Sequence, residues 1–411
     1  DAPRRHFTLT THWSRHWRST RTDWFGNCLH CGRNWFEIRT LNWIRPFTLI
    51  APPADKSHLV ASRSYLTYSK AELRDKLERN PYSYLHVINP TGIGSSKVKR
   101  GTAPFFEHVR KRYLAFKSSG WLQFKGKNCI AIYRQSTEEH TCTGIIGSLS
   151  LEGIRSGHLK LHEQTLKRRE QLFAKYLHTV QCNAEPVLCA YDDKRIPEAD
   201  AIQNILTQLI EKRADLDFTT TDQIRHSVWI LSEEASNDLA AVVQGLSPLY
   251  LADGHHRVAS SLALGSMDGA SKDSSALMAY IIPESQLLIR GYHRELKDVA
   301  WSAEQWEEAL HRLEPHIMAE RISRTGLSKP NAIGTVHLHT GGQSWVLSLR
   351  ESSLDCVDAE IIQNRIFEGL FGIEDARNDP KLSYIPGTMH SHQLIEHSDS
   401  RTESAIFEMH P

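Results

Sequence analysis

The sequence predicts a mixed α/β protein on three observations. Apolar strand candidates alternate irregularly with helical stripes, capping boxes open two of the helices, and no repeat recurs at a fixed interval. Ile44-Arg45-Pro46-Phe47-Thr48-Leu49-Ile50 is a strand candidate halted by Pro52-Pro53. Ser69-Lys70-Ala71-Glu72 has the S-x-x-E form in which hydroxyl and carboxylate satisfy orphan backbone donors, so a helix is expected after Ser69 with Leu73 and Leu77 buried. Residues 129–134 and 144–151 are apolar-rich runs around a polar 135–143, a strand pair joined by an exposed loop.

A helix is expected over 163–179, with Leu166, Phe173, Leu177 and Val180 inward. Ile202, Ile205, Leu206, Leu209 and Ile210 form the stripe of another helix packed on a core. Residues 226–231 and 248–252 read as strands, 258–264 as a short helix, and 276–282 as a further strand. Ser302-Ala303-Glu304-Gln305 is a second capping box, opening a helix with Trp306, Leu310 and Leu313 inward. Residues 335–339 and 345–349 flank Gly341-Gly342 as a hairpin.

The chain of 411 residues is long enough for more than one domain, and 24% charged with 40% hydrophobic residues is ordinary globular composition. No apolar run approaches the ~20 residues of a membrane span, so no membrane is expected as a partner. The 49 basic residues are matched by 48 acids, which gives no broad cationic field and argues against nucleic acid as the partner. Any anion site must be local. Seven scattered cysteines suit reduced thiols and a cytoplasmic location better than a disulfide framework.

Residues 1–43 differ in composition from the rest of the chain. They hold five tryptophans, seven arginines, three acids and no lysine, a net charge of +4, and leave 42 basic and 45 acidic residues to the remainder. They lack the layout of a signal peptide. His12 and His16 with Cys28-x-x-Cys31 offer zinc-type ligands, but their order matches no standard finger. With the first methionine at Met267, the segment is expected to be disordered or translated upstream sequence. Beyond it the chain is divided into an α/β core, 44–300, and a C-terminal α/β portion, 301–411, expected to be truncated.

The densest chemistry is the run Asp253-Gly254-His255-His256-Arg257, where an apolar strand gives way to a helix. Gly254 permits close backbone approach, and the amides opening the helix favour an anion. Arg257 can hold phosphate through paired hydrogen bonds, while His255 and His256 are further donors. Asp253 can ligate magnesium or accept a hydroxyl proton. The competing reading is that Asp253 caps the helix and the histidines sit in a polar turn.

A second constellation is His162-Glu163-Gln164-Thr165 followed by Lys167, Arg168 and Arg169, with Glu163 the candidate general base and His162, Lys167 and Arg169 candidate phosphate contacts. A solvated helix face with a Glu163/Lys167 pair explains it equally well. His293-Arg294 is a third candidate for anion contact. Asp192-Asp193 resembles a metal-ligand pair but lies in Tyr191-Asp192-Asp193-Lys194, read as a solvated turn.

In order, Ile44-Arg45-Pro46-Phe47, the run from Asn80 through Val87, Gly144-Ile145-Ile146-Gly147, His162-Glu163-Gln164-Thr165, Leu251-Ala252 with the Asp253 run, and His293-Arg294 resemble the family catalogued as domain of unknown function 1015, across most of residues 44–411. The Asp-Gly-His-His-Arg signature is similar to that of the superfamily joining ParB-type nucleotide-binding domains, sulfiredoxin and free-serine kinases. The resemblance implies a ParB/sulfiredoxin-like core around the strand-turn-helix, nucleotide phosphate at the turn, and ATP-dependent phosphorylation of free L-serine by some members. Sulfiredoxin chemistry requires a cysteine that this signature lacks.

Ser64-Tyr65-Leu66 stands where the family tends to carry Pro-Tyr-Asp, and the chain stops at Met409-His410-Pro411 before an expected Pro-Lys-Ser-Thr segment. Two functions are expected on these grounds. One is a small-molecule kinase using ATP or another nucleotide with Mg2+ and a small hydroxyl acceptor. It would not be of the P-loop type, because no G-x-x-x-x-G-K-[ST] occurs. The other is a nucleotide-responsive binding protein without kinase activity.

Overall fold

The computed structural model describes residues 42–410 except 64–67, 91–97, 163, 164, 166, 268–271, 351–356, 377, 378 and 402. The candidate zinc ligands, the Ser64-Tyr65-Leu66 departure and nearly all of the 1–43 segment lie outside the described residues. Trp43 does not. Grouped by composition with that segment, it is buried, stacks on His158 with ring centroids 4.9 Å apart, and donates its amide to Gln244 Oε1 at 2.9 Å.

The described chain divides into two compact units, one ending at Leu287 and the other starting at Leu288. The first is built on a nine-stranded mixed sheet. Its order is Leu159–Lys160, Leu249–Asp253, Val187–Tyr191, Ala276–Pro283, Thr141–Ser150, Ala131–Ser136, Arg225–Ile230 and Leu216–Thr219, with Ile44–Arg45 added beside Thr141–Ser150. The strand expected over 44–50 is two. Pro46 offers no amide to a ladder, and the chain passes from this sheet at Ile44–Arg45 to a separate pairing of Phe47–Ala51 with Gln123–Cys129. The loop expected over 135–143 shrinks to four residues, because Gln135 and Ser136 have ladder partners on both sides, in Thr141–Ser150 and Arg225–Ile230.

The capping box at Ser69 forms as expected and opens the helix Lys70–Arg79, with Leu73 buried. The helix expected over 163–179 is described from Lys167 to Val180, and its inward face differs from the expected stripe: Ala174 and Val180 are buried while Phe173 is exposed. It packs on two helices, Ala103–Ser118 and His255–Leu264, so a single stripe cannot describe its contacts. Ala199–Leu209 buries Ile202 and Leu206 as its periodicity predicts.

The second unit is a six-stranded antiparallel sheet in the order Ile317–Arg321, Gln343–Leu349, Thr335–Thr340, Ser404–Met409, His293–Lys297, Leu382–Ile385. The Gly341-Gly342 turn forms with φ of +53° and +75°, the left-handed backbone that a two-residue hairpin turn requires. Strand alternation gives the sheet two unlike faces. Leu296, Val336, Leu338, Trp345, Leu347 and Phe407 join Trp306 and Phe367 in an apolar core, each such side chain worth roughly 1.5–3 kcal/mol on burial. The intervening residues His337, His339, Glu408, Glu295 and Ser344 are polar yet buried, and the helix Ser391–Asp399 packs on the two strands that carry His337, His339 and Glu408.

Candidate functional site

The strand Leu249–Asp253 lies inside the first sheet, parallel to Leu159–Lys160 and antiparallel to Val187–Tyr191, with Leu249 and Leu251 fully buried. Its ladder to Val187–Tyr191 becomes irregular between Leu251 and Asp253, where the chain turns out of the sheet. Gly254 adopts φ +107°, and a Cβ there would stand 2.7 Å from Val187 Cγ1 and 3.1 Å from Arg257 Nε. Only glycine fits both restrictions.

The helix begins at His255 rather than near 258, so both histidines and Arg257 occupy its first turn. The N-cap is Gly254, which has no side chain with which to cap that turn. Asp253 is therefore not the N-cap: its carboxylate pairs with the Arg257 guanidinium, which also donates to the Pro186 carbonyl and stands 3.6 Å from Glu185 Oε1. Both partners remain partly exposed, at 39% for Asp253 and 29% for Arg257.

His255 is 2% exposed. Burial, then the neighbouring His162 and His256 rings, push its pKa down to about 4, so it is a neutral imidazole at physiological pH. It can serve a phosphate as a hydrogen-bond donor but not as a cation. The His162 amide approaches His255 Nε2 at 3.5 Å and the two rings meet edge to face at 4.3 Å. Desolvation lowers the His162 pKa as well. His256 is half-buried, and its carbonyl accepts from Ser260 Oγ.

Thus His162 joins the Asp253 run in space. Lys167 and Arg169 lie in the first turn of the helix that packs on His255–Leu264, Lys167 exposed and Arg169 half-buried. Thr165 donates to Glu170 Oε1. Glu163 lies outside the described residues. Asp192 is accounted for by its turn: Oδ1 accepts the amides of Lys194 and Arg195, both at 3.1 Å, while Asp193 accepts from Ser285.

His293 and Arg294 open a strand of the second unit. His293 Nδ1 accepts the Met409 amide at 3.0 Å, and burial brings its pKa down to about 4. Arg294 is buried, donates to the Tyr292 carbonyl at 3.2 Å and lies over the Tyr384 ring at 5.8 Å. Burial lowers its pKa. On the same unit is a cluster that sequence reasoning missed. Two histidines of Thr335–Thr340 and one glutamate of Ser404–Met409, a directly opposed pair at His337 and Glu408, converge: His337 Nδ1 and His339 Nε2 lie 3.3 and 3.1 Å from Glu408 Oε2. The His-x-His spacing on a strand was its sequence signal, since residues two apart share a face. Glu408 lies 69 residues further on, and no local pattern connects them.

With this geometry in hand, a family model described as protein of unknown function (DUF1015) matches residues 44–368, and the chain belongs to that family. No curated protein matches it. Among the described residues no helix is long and apolar enough to cross a membrane.

Proposed function

We propose that this DUF1015 protein binds nucleotide phosphate at the turn of residues 253–257 and is a cytoplasmic, ATP-dependent kinase of a small hydroxyl compound, with free L-serine the first acceptor to test. The observation that carries this reading is the helix start at Gly254, where a left-handed glycine N-cap brings Asp253, both histidines and Arg257 into one turn. Backbone amides at a helix start have no intrahelical acceptor, carry the positive end of the helix dipole, and are a ready site for an anion. The similarity of the Asp-Gly-His-His-Arg signature to the ParB/sulfiredoxin/free-serine-kinase superfamily supports nucleotide as that anion.

Asp253 and Arg257 satisfy each other's charge in the described structure. A magnesium nucleotide supplies a partner to each, the cation to Asp253 and phosphate oxygens to Arg257. His255 and His256 add donors, and His162, Lys167 and Arg169 further contacts. Bound Mg2+ would neutralise charge on the transferring phosphoryl group, a reaction that depends mainly on positioning and electrostatics. Glu163 is the residue assigned to deprotonate the acceptor hydroxyl.

The test is incubation of the full chain with Mg-ATP and a panel of amino acids, followed by detection of phosphorylated product. Glu163→Gln should lower turnover by about 10²–10⁴-fold while leaving nucleotide affinity unchanged. Asp253→Asn and Arg257→Ala should each weaken nucleotide binding, by roughly ten- to a hundredfold for the arginine. Nucleotide binding with no product for any acceptor would favour a nucleotide-responsive binding protein. Unchanged affinity in both variants would end the phosphate-site reading.

A further inference from the structure

We propose that His337, His339 and Glu408 form a binding site for one divalent transition-metal ion of the zinc class. The three side chains are 7%, 0% and 1% exposed, and one donor atom from each lies within 4.8 Å of the others. Two imidazole nitrogens and a carboxylate oxygen are natural ligands for such an ion, and three protein ligands leave a fourth position for a solvent molecule.

The two nitrogen-to-oxygen spacings fit the edges of a metal coordination polyhedron. With metal–ligand bonds of about 2.0–2.1 Å, the edges of a tetrahedron are about 3.3–3.4 Å long. The observed nitrogen-to-oxygen separations are 3.3 and 3.1 Å. Two nitrogens converge on one oxygen, Glu408 Oε2, as ligands around one ion do.

The outer contacts are those of a held ligand set. His339 Nδ1 lies 2.8 Å from Ser344 Oγ, which fixes the ring and leaves Nε2 directed at the site. Ser391 Oγ donates to Glu408 Oε1 at 2.6 Å, leaving Oε2 for the ion. Ser398 Oγ donates to the His339 carbonyl at 3.0 Å, so the covering helix is tied to both ligand strands. Among the described residues Glu408 forms no ion pair with lysine or arginine, and a buried carboxylate is costly without a countercharge.

The experiment is titration of the chelator-treated full chain with Co2+, followed by its visible ligand-field bands. The wild type should show bands that lack near-ultraviolet thiolate charge transfer, which separates this site from Cys28-x-x-Cys31. Glu408→Gln should lose them or bind at least about tenfold more weakly, and Ser344→Ala, which keeps all three ligands, should weaken binding by about ten- to a hundredfold. Because a buried substitution such as Glu408→Gln can also unfold the chain, wild-type melting with and without Zn2+ is the independent readout, and a rise on adding Zn2+ is expected. Absence of bands and of a melting shift in the wild type, or bands of undiminished Co2+ affinity in folded Glu408→Gln, overturns the proposal.

Discussion

Residue 254 shows how much one backbone dihedral decides. The strand must end, the chain must turn out of the sheet past Val187, and the helix must begin at once, which leaves a left-handed residue with no room for a side chain. Gly254→Ala should cost about 2–3 kcal/mol, combining left-handed strain with overpacking, as read from the urea midpoint. Val187→Ala in the same chain should restore part of the loss by removing Cγ1, but not the part due to φ. A Gly254→Ala protein as stable as the wild type would mean that the turn is not built this way. Neighbouring Asp253 teaches the complementary lesson. Its type and position before a helix match an N-cap, but a guanidinium one turn along outcompetes the weaker amide donors for its carboxylate.

At the scale of elements, local signals were legible and long-range partners were not. Both capping boxes form, because their hydrogen bonds join residues three apart: Ser302 accepts the Gln305 amide at 3.3 Å while Gln305 Oε1 accepts that of Ser302 at 2.8 Å. Ser302→Ala should therefore lower stability by about 1 kcal/mol in urea unfolding. Phe173 shows the limit. It fits a helical stripe by spacing, yet stands 47% exposed, because the helix meets two partners and period alone does not say where they lie. Phe173→Gln should stay within about 0.5 kcal/mol of the wild type by the same measurement. The hairpin around Gly341-Gly342 was readable from the glycine pair between two strand runs, but what covers its polar face was not. That face is buried by the Ser391–Asp399 helix, whose Leu394 packs with Ile385 and Ile406, so the His337, His339 and Glu408 cluster was hidden by a contact no window of sequence contains. The 253–257 run was legible because all five residues adjoin, whereas the approach of His162 to it needed the fold.

Across the whole molecule, the titration of histidines links burial to acid stability. Of the 23 histidines, His255, His162 and His226 in the first unit all have depressed pKa values, in each case chiefly through desolvation, and His255 reaches about 4. Above about pH 6.5 these imidazoles are neutral in both folded and unfolded chains, so they make no pH-dependent contribution. As pH falls below that, the unfolded chain takes up protons which the folded chain accepts only at lower pH, near 4 in the case of His255. The difference in bound protons therefore favours unfolding. Stability should thus decline between about pH 6.5 and pH 4, and His255 alone adds a slope of at most about 1.4 kcal/mol per pH unit in that window. Replacing His255 with Gln removes that proton from the balance. Urea unfolding across the window should then show a shallower decline for His255→Gln than for the wild type, whatever its stability at neutral pH. Parallel declines for the two proteins would mean that His255 titrates normally in the fold and is not the buried neutral ring described for the turn.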